Sequence, residues 1–237
     1  MKQVPWGPVT RGYLYNSMIA PLTKYVIKGA LWYQGESNVG FANDYDRLLS
    51  TMVASWRKEW GFEFPFYYVQ IAPYNGYGDG DLGARLRMSQ QRATKTILKS
   101  DMVVISDIGD IKDIHPRNKL DVALRLANLA LAKDYNQPIK YTHGPILQKT
   151  EVIKNKIHLT YSCEGDLRCN STCLEAFEIA DTNKKFQRAK VKITKNLITL
   201  EADGIAFPIY AKFNGCNSCE ALLTDESNLP SSVFIMD

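Results

Sequence analysis

The chain has 237 residues, 45% hydrophobic and 23% charged, an ordinary globular mix that predicts a sizeable core and little disorder. Its 29 basic and 25 acidic residues give a net charge of +4 that is spread along the sequence, with no basic block to follow a phosphate backbone, which argues against nucleic acid as a partner. No apolar run approaches the roughly 18 residues a membrane span needs, and the opening MKQVPWGPVTRGYLYNSMIAPL has neither the uninterrupted apolar segment nor the cleavage site of a signal peptide.

In chain order, LYNSMIAPLTKYV (14–26) reads as a helix broken by Pro21, and VIKGALWY (26–33) as a short strand. NDYDRLLSTMVASWRKEWG (43–61) sets Tyr45, Leu48, Leu49, Met52, Val53, Trp56 and Trp60 on one side at helical spacing, and Gly61 ends it. FPFYYVQIAP (64–73) predicts a second strand, GYGDGDLG (76–83) a glycine-rich loop, RLRMSQQRATKTILK (85–99) a helix, MVVISD (102–107) a third strand and LDVALRLANLALAKDY (120–135) an apolar helix. Strand–helix alternation of this kind implies an α/β region over 1–135, with a parallel sheet covered by helices. The strand–turn–helix unit with which such a sheet usually opens has no counterpart here. Beyond residue 136, TEVIKNKIHLTYS, RAKVKITKNLITLEA and GIAFPIYAKF alternate apolar and polar positions, which predicts an antiparallel β subdomain over 136–237.

All five cysteines lie between residues 163 and 219. Clustering in a loop-rich region favours disulfides and an oxidising compartment. The rival is a zinc site from Cys169-x3-Cys173 and Cys216-x2-Cys219, but that spacing is loose and no histidine is near in sequence. An odd count leaves one thiol over in either case. Asn170-Ser171-Thr172 has the form of a glycosylation sequon. No cofactor and no metal are expected.

Open α/β sheets bind ligands at the carboxyl ends of their strands. Two polar constellations fall there: Gln34-Gly35-Glu36-Ser37-Asn38 after the first strand, and SDIGDIKDIHPRNK (106–119) after the third. His115 is the best single candidate for a general base, because it sits on a loop with Asp107, Asp110 and Asp113 close before it. An Asp two residues ahead can turn back to the imidazole and fix its tautomer; the alternative is a loop whose carboxylates cap backbone N–H groups. Gln34 and Gly35 supply an amide and an N–H suited to an oxyanion hole, or a tight turn. Glu36 reads as an acid orienting the site, a partner of the following helix or a surface charge. Ser37 lacks the G-x-S-x-G elbow of an exposed nucleophile, and nothing in the spacing places His115 beside it. His158 reads as a strand residue and His143 as a turn residue.

IKGALWYQGESN and DIGDIKDIHPRNK together resemble the sialate O-acetylesterases, a family of SGNH-type carbohydrate esterases. LYNSMIAPL, FYYVQIAPYN, LRMSQ and GIAFPIYAKF resemble stretches of the same family in the same order, so the likeness covers nearly the whole chain. It implies an SGNH, flavodoxin-like parallel sheet, incomplete at the N-terminus, and removal of acetyl groups from sialic acid hydroxyls by a serine nucleophile, a histidine base and an oxyanion hole. Gln34-Gly35-Glu36 falls on the family's Gln-Gly-Glu block near the oxyanion hole, His115 on the catalytic histidine and Asp113 on the acidic position beside it. The wider superfamily places Asp three residues before the histidine, where this chain has Lys112, so the triad acid stays open among Asp113, Asp110 and Glu36. The family's Gly-Gln-Ser-Asn nucleophile block lies upstream and has no match here.

The expectation is therefore a carboxylic ester hydrolase acting on O-acetylated sialic acid or a related sugar, in which these residues supply the base and oxyanion elements and the serine lies outside them. An inactive sugar-binding fragment and a glycosidase pairing Glu36 with Asp113 or Asp110 are the alternatives. The full-length protein is expected in an extracellular, periplasmic or lysosomal setting.

Overall fold

The computed structural model describes residue 10 and residues 12–236. Residues 1–9, on which much of the reading of the opening stretch rests, lie outside the described residues. Where the broken helix was expected, Tyr15–Ile19 forms a wide π-type turn and Ala20–Leu22 a 3₁₀ turn with Pro21 at its start, where a missing N–H costs nothing.

Three strands, β1 (Ala30–Trp32), β2 (Phe66–Val69) and β3 (Ser100–Val103), form a parallel sheet in that order. The helices α1 (Tyr45–Trp60), α2 (Leu82–Thr96) and α3 (Lys119–Asp134) connect and cover them. Alternate residues of β2 point to opposite faces. Phe66 and Tyr68 pack with Tyr45, Leu49, Val53 and Leu86 of α1 and α2, whereas Tyr67 and Val69 pack with Val122, Leu126 and Leu129 of α3. All four residues of β2 are buried, as a strand covered on both faces requires. Gly61 ends α1 in the left-handed conformation at φ 76°, its N–H closing on the Arg57 and Lys58 carbonyls.

The observed strands are shorter than the sequence predicts, for local reasons. β3 stops at Val103 because the next carbonyl is taken out of the ladder: Val104 O accepts from Arg125 Nη1 at 2.6 Å. The same guanidinium grips Asp107 through two bonds of 2.7 and 2.5 Å. The end of α2 is set by Ile97, which turns extended (ψ 109°) and buries its side chain.

The remaining strands are β4 (Ile146–Ile153), β5 (Lys156–Ser162), β6 (Arg168–Cys169), β7 (Phe177–Ala180), β8 (Gln187–Arg188), β9 (Lys190–Thr194), β10 (Leu197–Glu201), β11 (Tyr210–Phe213), β12 (Leu223–Thr224) and β13 (Phe234–Met236), with one short helix, α4 (Ser171–Glu175). They build two antiparallel four-stranded sheets, β4-β5-β10-β9 and β13-β11-β7-β8, and the ribbon β12-β6. The period-2 pattern is realised directly: Ile157, Leu159 and Tyr161 of β5 and Ile198 and Leu200 of β10 are buried against Phe177, Ile179, Ala211 and Phe213 of the other sheet. Cys169 pairs with Cys173 and Cys216 with Cys219, leaving Cys163 free. The cysteines are thus used as disulfides, the first of the two readings, and no metal-ligating cluster occurs among the described residues. Among the described residues no helix is long and apolar enough to cross a membrane.

Polar bonds tie this β-rich part to the end of β2, to α2 and to the loop before it. Gln70 Nε2 donates to Ser232 Oγ at 2.7 Å, Asn217 accepts from Gly83 N at 2.7 Å and donates to Gly78 O at 2.8 Å, and Arg87 Nη2 donates to Cys216 O at 2.6 Å.

A further tie crosses from β3 to the segment before β4. Asp101 accepts from Lys133 and lies 2.9 Å from His143 Nε2, whose Nδ1 faces Thr142 Oγ1 at 2.9 Å. His143, expected in a turn, is therefore an anchoring residue. Burial alone would raise the Asp101 carboxyl, but the bonds and charges of His143 and Lys133 outweigh it and hold it down at about 2. A depressed carboxyl stabilises the fold above its unfolded-state value near 4 and loses that contribution as pH falls toward 2. Asp101→Asn is expected to remove about 2 kcal/mol at pH 7 and to flatten the fall in stability between pH 4 and 2. Denaturant titrations across that range check both.

Candidate active site

Gln34 leaves the end of β1 and Gly35 turns the chain into a run of 3₁₀ turns, Glu36–Asp44, broken at Phe41. Gly35 is required there twice over. Its φ of 157° with ψ −26° disfavours a side chain, and a Cβ would stand 2.8 Å from Ile71 Cγ2. The loop is held from below by Gln90 of α2, a fully buried carboxamide. Its Oε1 accepts from Ile71 N at 2.9 Å, and its Nε2 donates to Val69 O at 3.1 Å and Gln34 O at 3.4 Å. Tyr45 at the start of α1 completes the clamp, its hydroxyl lying 3.0 Å from Gln34 O and 3.1 Å from Gln34 Oε1. The Gln34 amide nitrogen donates to Asn38 Oδ1 at 2.7 Å. Its carbonyl oxygens and one N–H are thus engaged, which fixes the side chain. Among the described residues no acceptor takes the Gly35 N–H.

A cavity of about 410 Å³ opens above this loop, lined by Tyr33, Gln34, Glu36 and Ser37 on one side and by Ile114, His115 and Lys119 on the other. The two constellations that the sequence places at separate strand ends therefore share one wall-to-wall space. Asn118 caps α3 by accepting from Asp121 N at 3.2 Å, which sets the direction in which Lys119 leaves the helix start. Lys119 Nζ stands 4.7 Å from the centre of the Tyr33 ring.

Glu36 gives the cavity its negative charge and, among the described residues, makes no hydrogen bond or ion pair. Its field is felt by three phenols. Burial, with the Glu36 charge second, pushes Tyr33 up to about 12. Tyr77 is raised in the same way, and Tyr45 is raised chiefly by burial against the opposing hydrogen bonds of Trp32 and Gln90, with Glu36 a smaller contributor. All three hydroxyls therefore stay protonated at neutral pH and can donate.

The carboxylates before His115 are used differently from the sequence expectation. Asp113 Oδ1 accepts from the backbone N–H of His115 at 2.9 Å and Asp110 Oδ1 from that of Lys112 at 2.8 Å, so both close local turns. Asp107 is spent on Arg125. Among the described residues no carboxylate bonds the His115 ring, and Asp113 does not line the cavity. Of the expected site residues, Gln34, Glu36 and His115 meet at the cavity, Gly35 is buried beneath it and Asp113 supports the His115 backbone. Ser37, expected to be unrelated to His115, lines the same cavity, although no hydrogen bond joins its hydroxyl to the imidazole among the described residues. Sequence reasoning missed Gln90, Tyr33, Tyr45 and Lys119. Only a tertiary contact distinguishes them from ordinary helix and strand residues.

A separate cavity of about 190 Å³ beside β3 is lined by Asp101, Arg125 and His143. These three groups are already paired with one another or with Asp107 and Lys133, so neither the carboxylate nor the imidazole is free to act as a base.

The family description "Carbohydrate esterase, sialic acid-specific acetylesterase" matches residues 2–128. The chain is 30% identical over 193 residues to a sialate O-acetylesterase of Rattus norvegicus, covering 73% of this chain and 36% of that protein. Against the Homo sapiens sialate O-acetylesterase it is 31% identical over 176 residues, covering 65% and 34%. Its fold matches the crystal structure of XAC1771, a carbohydrate acetylesterase from Xanthomonas citri, with a TM-score of 0.88 at 31% identity, over 94% of this chain and 54% of that one. The chain thus spans about a third of the length of these curated relatives and about half of the solved one. With the matched residues ending inside α3 and taking in both walls of the cavity, the chain belongs to the sialic acid-specific acetylesterase family of carbohydrate esterases.

Proposed function

We propose that this chain provides the base and oxyanion half of a serine esterase that removes O-acetyl groups from sialic acid or a related sugar. The observation that carries this reading is the meeting of Gln34, Glu36 and His115 around one cavity beyond the ends of parallel strands. His115 takes the proton of the attacking hydroxyl and returns it to the leaving sugar oxygen. The Gly35 N–H, aimed by the Gln90 and Tyr45 clamp, meets the oxyanion of the tetrahedral intermediate. The Asp113 turn holds the backbone that presents the imidazole.

The nucleophilic serine comes from polypeptide outside these residues, adding to the open edge of the SGNH-type sheet at β1, which pairs on one side only among the described residues. The α/β part over 1–135 carries the chemistry, and the β-rich part over 136–237 braces α2 beneath the site. Two disulfides fit a secreted, periplasmic or lysosomal setting. One observation favours a second reading: Ser37 shares the cavity with His115 and so competes for the nucleophile's place.

A chromogenic acetyl ester and a fluorophosphonate probe separate the two. The chain itself, its Ser37→Ala variant and a polypeptide extended by the upstream coding sequence are assayed side by side. Strong turnover and labelling only in the extended form are expected. Activity in the chain itself that disappears with Ser37→Ala would make Ser37 the nucleophile and sink the proposal.

A further inference from the structure

We propose that Lys119 is the specificity-determining residue of this site, reading the carboxylate of an anionic acetylated sugar and turning it away from Glu36. The inference rests on the esterase reading above and adds the feature that separates an acidic from a neutral sugar ester. Of the residues lining the cavity, Lys119 is the permanent cation and Glu36 the acid; neither forms an ion pair among the described residues. Tyr33 lines the same cavity and meets both. Its ring face carries the Lys119 ammonium at 4.7 Å, and its hydroxyl lies within the field of Glu36.

The cavity therefore offers a bound sugar both a cation and an anion. A neutral sugar has no preferred sense in such a field. A sugar acid has one: carboxylate to Lys119, uncharged hydroxyls to Glu36, which can accept from them. Stacking on Tyr33 holds the long lysine side chain over the cavity instead of letting it sweep through solvent, which lowers the entropy lost when it meets an anion. The start of α3 lies at the same wall and adds its positive end to the lysine charge.

The test compares binding of N-acetylneuraminic acid and its methyl ester to the full chain by ligand-observed NMR, the ester replacing the carboxylate charge by a neutral group with one added methyl. The wild-type chain is expected to bind the acid about fivefold more tightly, the upper range for a pair open to solvent. Lys119→Met is expected to bring that ratio to about one without weakening the ester, and Lys119→Arg to retain it. Lys119 is exposed, and matching melting curves exclude misfolding. If both ligands bind and the ratio is one in the wild-type chain, or is unchanged in Lys119→Met, the lysine assignment is wrong while the site survives. If neither ligand binds, the sugar-site reading fails and takes the assignment with it.

Discussion

In a polypeptide that hydrolyses acetyl esters through this site, His115→Ala is expected to lower kcat by about 10³- to 10⁴-fold with little change in stability. The side chain is exposed and, among the described residues, unbonded, so its removal leaves no cavity and orphans no described partner. What is lost is the only imidazole at the cavity wall. The neighbouring carboxylate separates two versions of the mechanism. Asp113 spends an oxygen on the His115 backbone N–H, and an asparagine Oδ1 can accept the same bond. Asp113→Asn is therefore expected to stay within about tenfold of wild type, whereas Asp113→Ala loosens the turn that presents the histidine and costs more. A loss near 10⁴-fold in Asp113→Asn would mean instead that the carboxylate swings onto the ring during turnover, as in a conventional triad. Steady-state kinetics of the three variants, with pH profiles of kcat/KM, give the answer.

Gly35→Ala is expected to be the most destabilising single methyl group that can be added at the site, at about 3 kcal/mol. Two penalties combine. The backbone at φ 157° with ψ −26° strains any side chain, and the new Cβ would meet Ile71 Cγ2 at 2.8 Å and Gln90 Nε2 at 3.2 Å. Ile71 and Gln90 are both fully packed, so neither can retreat without disturbing α2 or the end of β2. Gln90→Leu approaches the same loop from beneath. It strands the Ile71 N–H and the Val69 carbonyl, at a cost of about 2–4 kcal/mol, and frees the Gln34 carbonyl from one of its two supports. Both variants are expected to melt roughly 6–12 °C below wild type. A Gly35→Ala protein that melts within a degree of wild type would show that the loop re-forms in another conformation and that Gly35 is not held as described.

The sequence by itself determined the elements whose causes are local. The spacing of Tyr45, Leu49 and Val53 and the stop at Gly61 specify α1 to within a residue or two, because amphipathicity and a left-handed cap act within a few turns. The alternation in 156–162 and 197–201 specifies β5 and β10 for the same reason. The polar blocks Gln34–Asn38 and 106–119 stand out in the sequence as candidate site material because they follow strands. Three matters needed the tertiary structure. Whether an aspartate two residues before a histidine reaches the ring or the backbone depends on the turn the loop adopts, and Asp113 took the N–H nearer to it. Gln90 looks like any polar helix residue until the sheet turns it inward between Ile71 and Gln34, separations of 19 and 56 residues that no local pattern encodes. Lys119 and Tyr33 lie on different elements, 86 positions apart by their numbers, and only the packing of α3 against the sheet brings the ammonium over the ring. Local spacing fixes periodicity and turns; partner choice among polar groups is fixed by what the hydrophobic core leaves within hydrogen-bond reach.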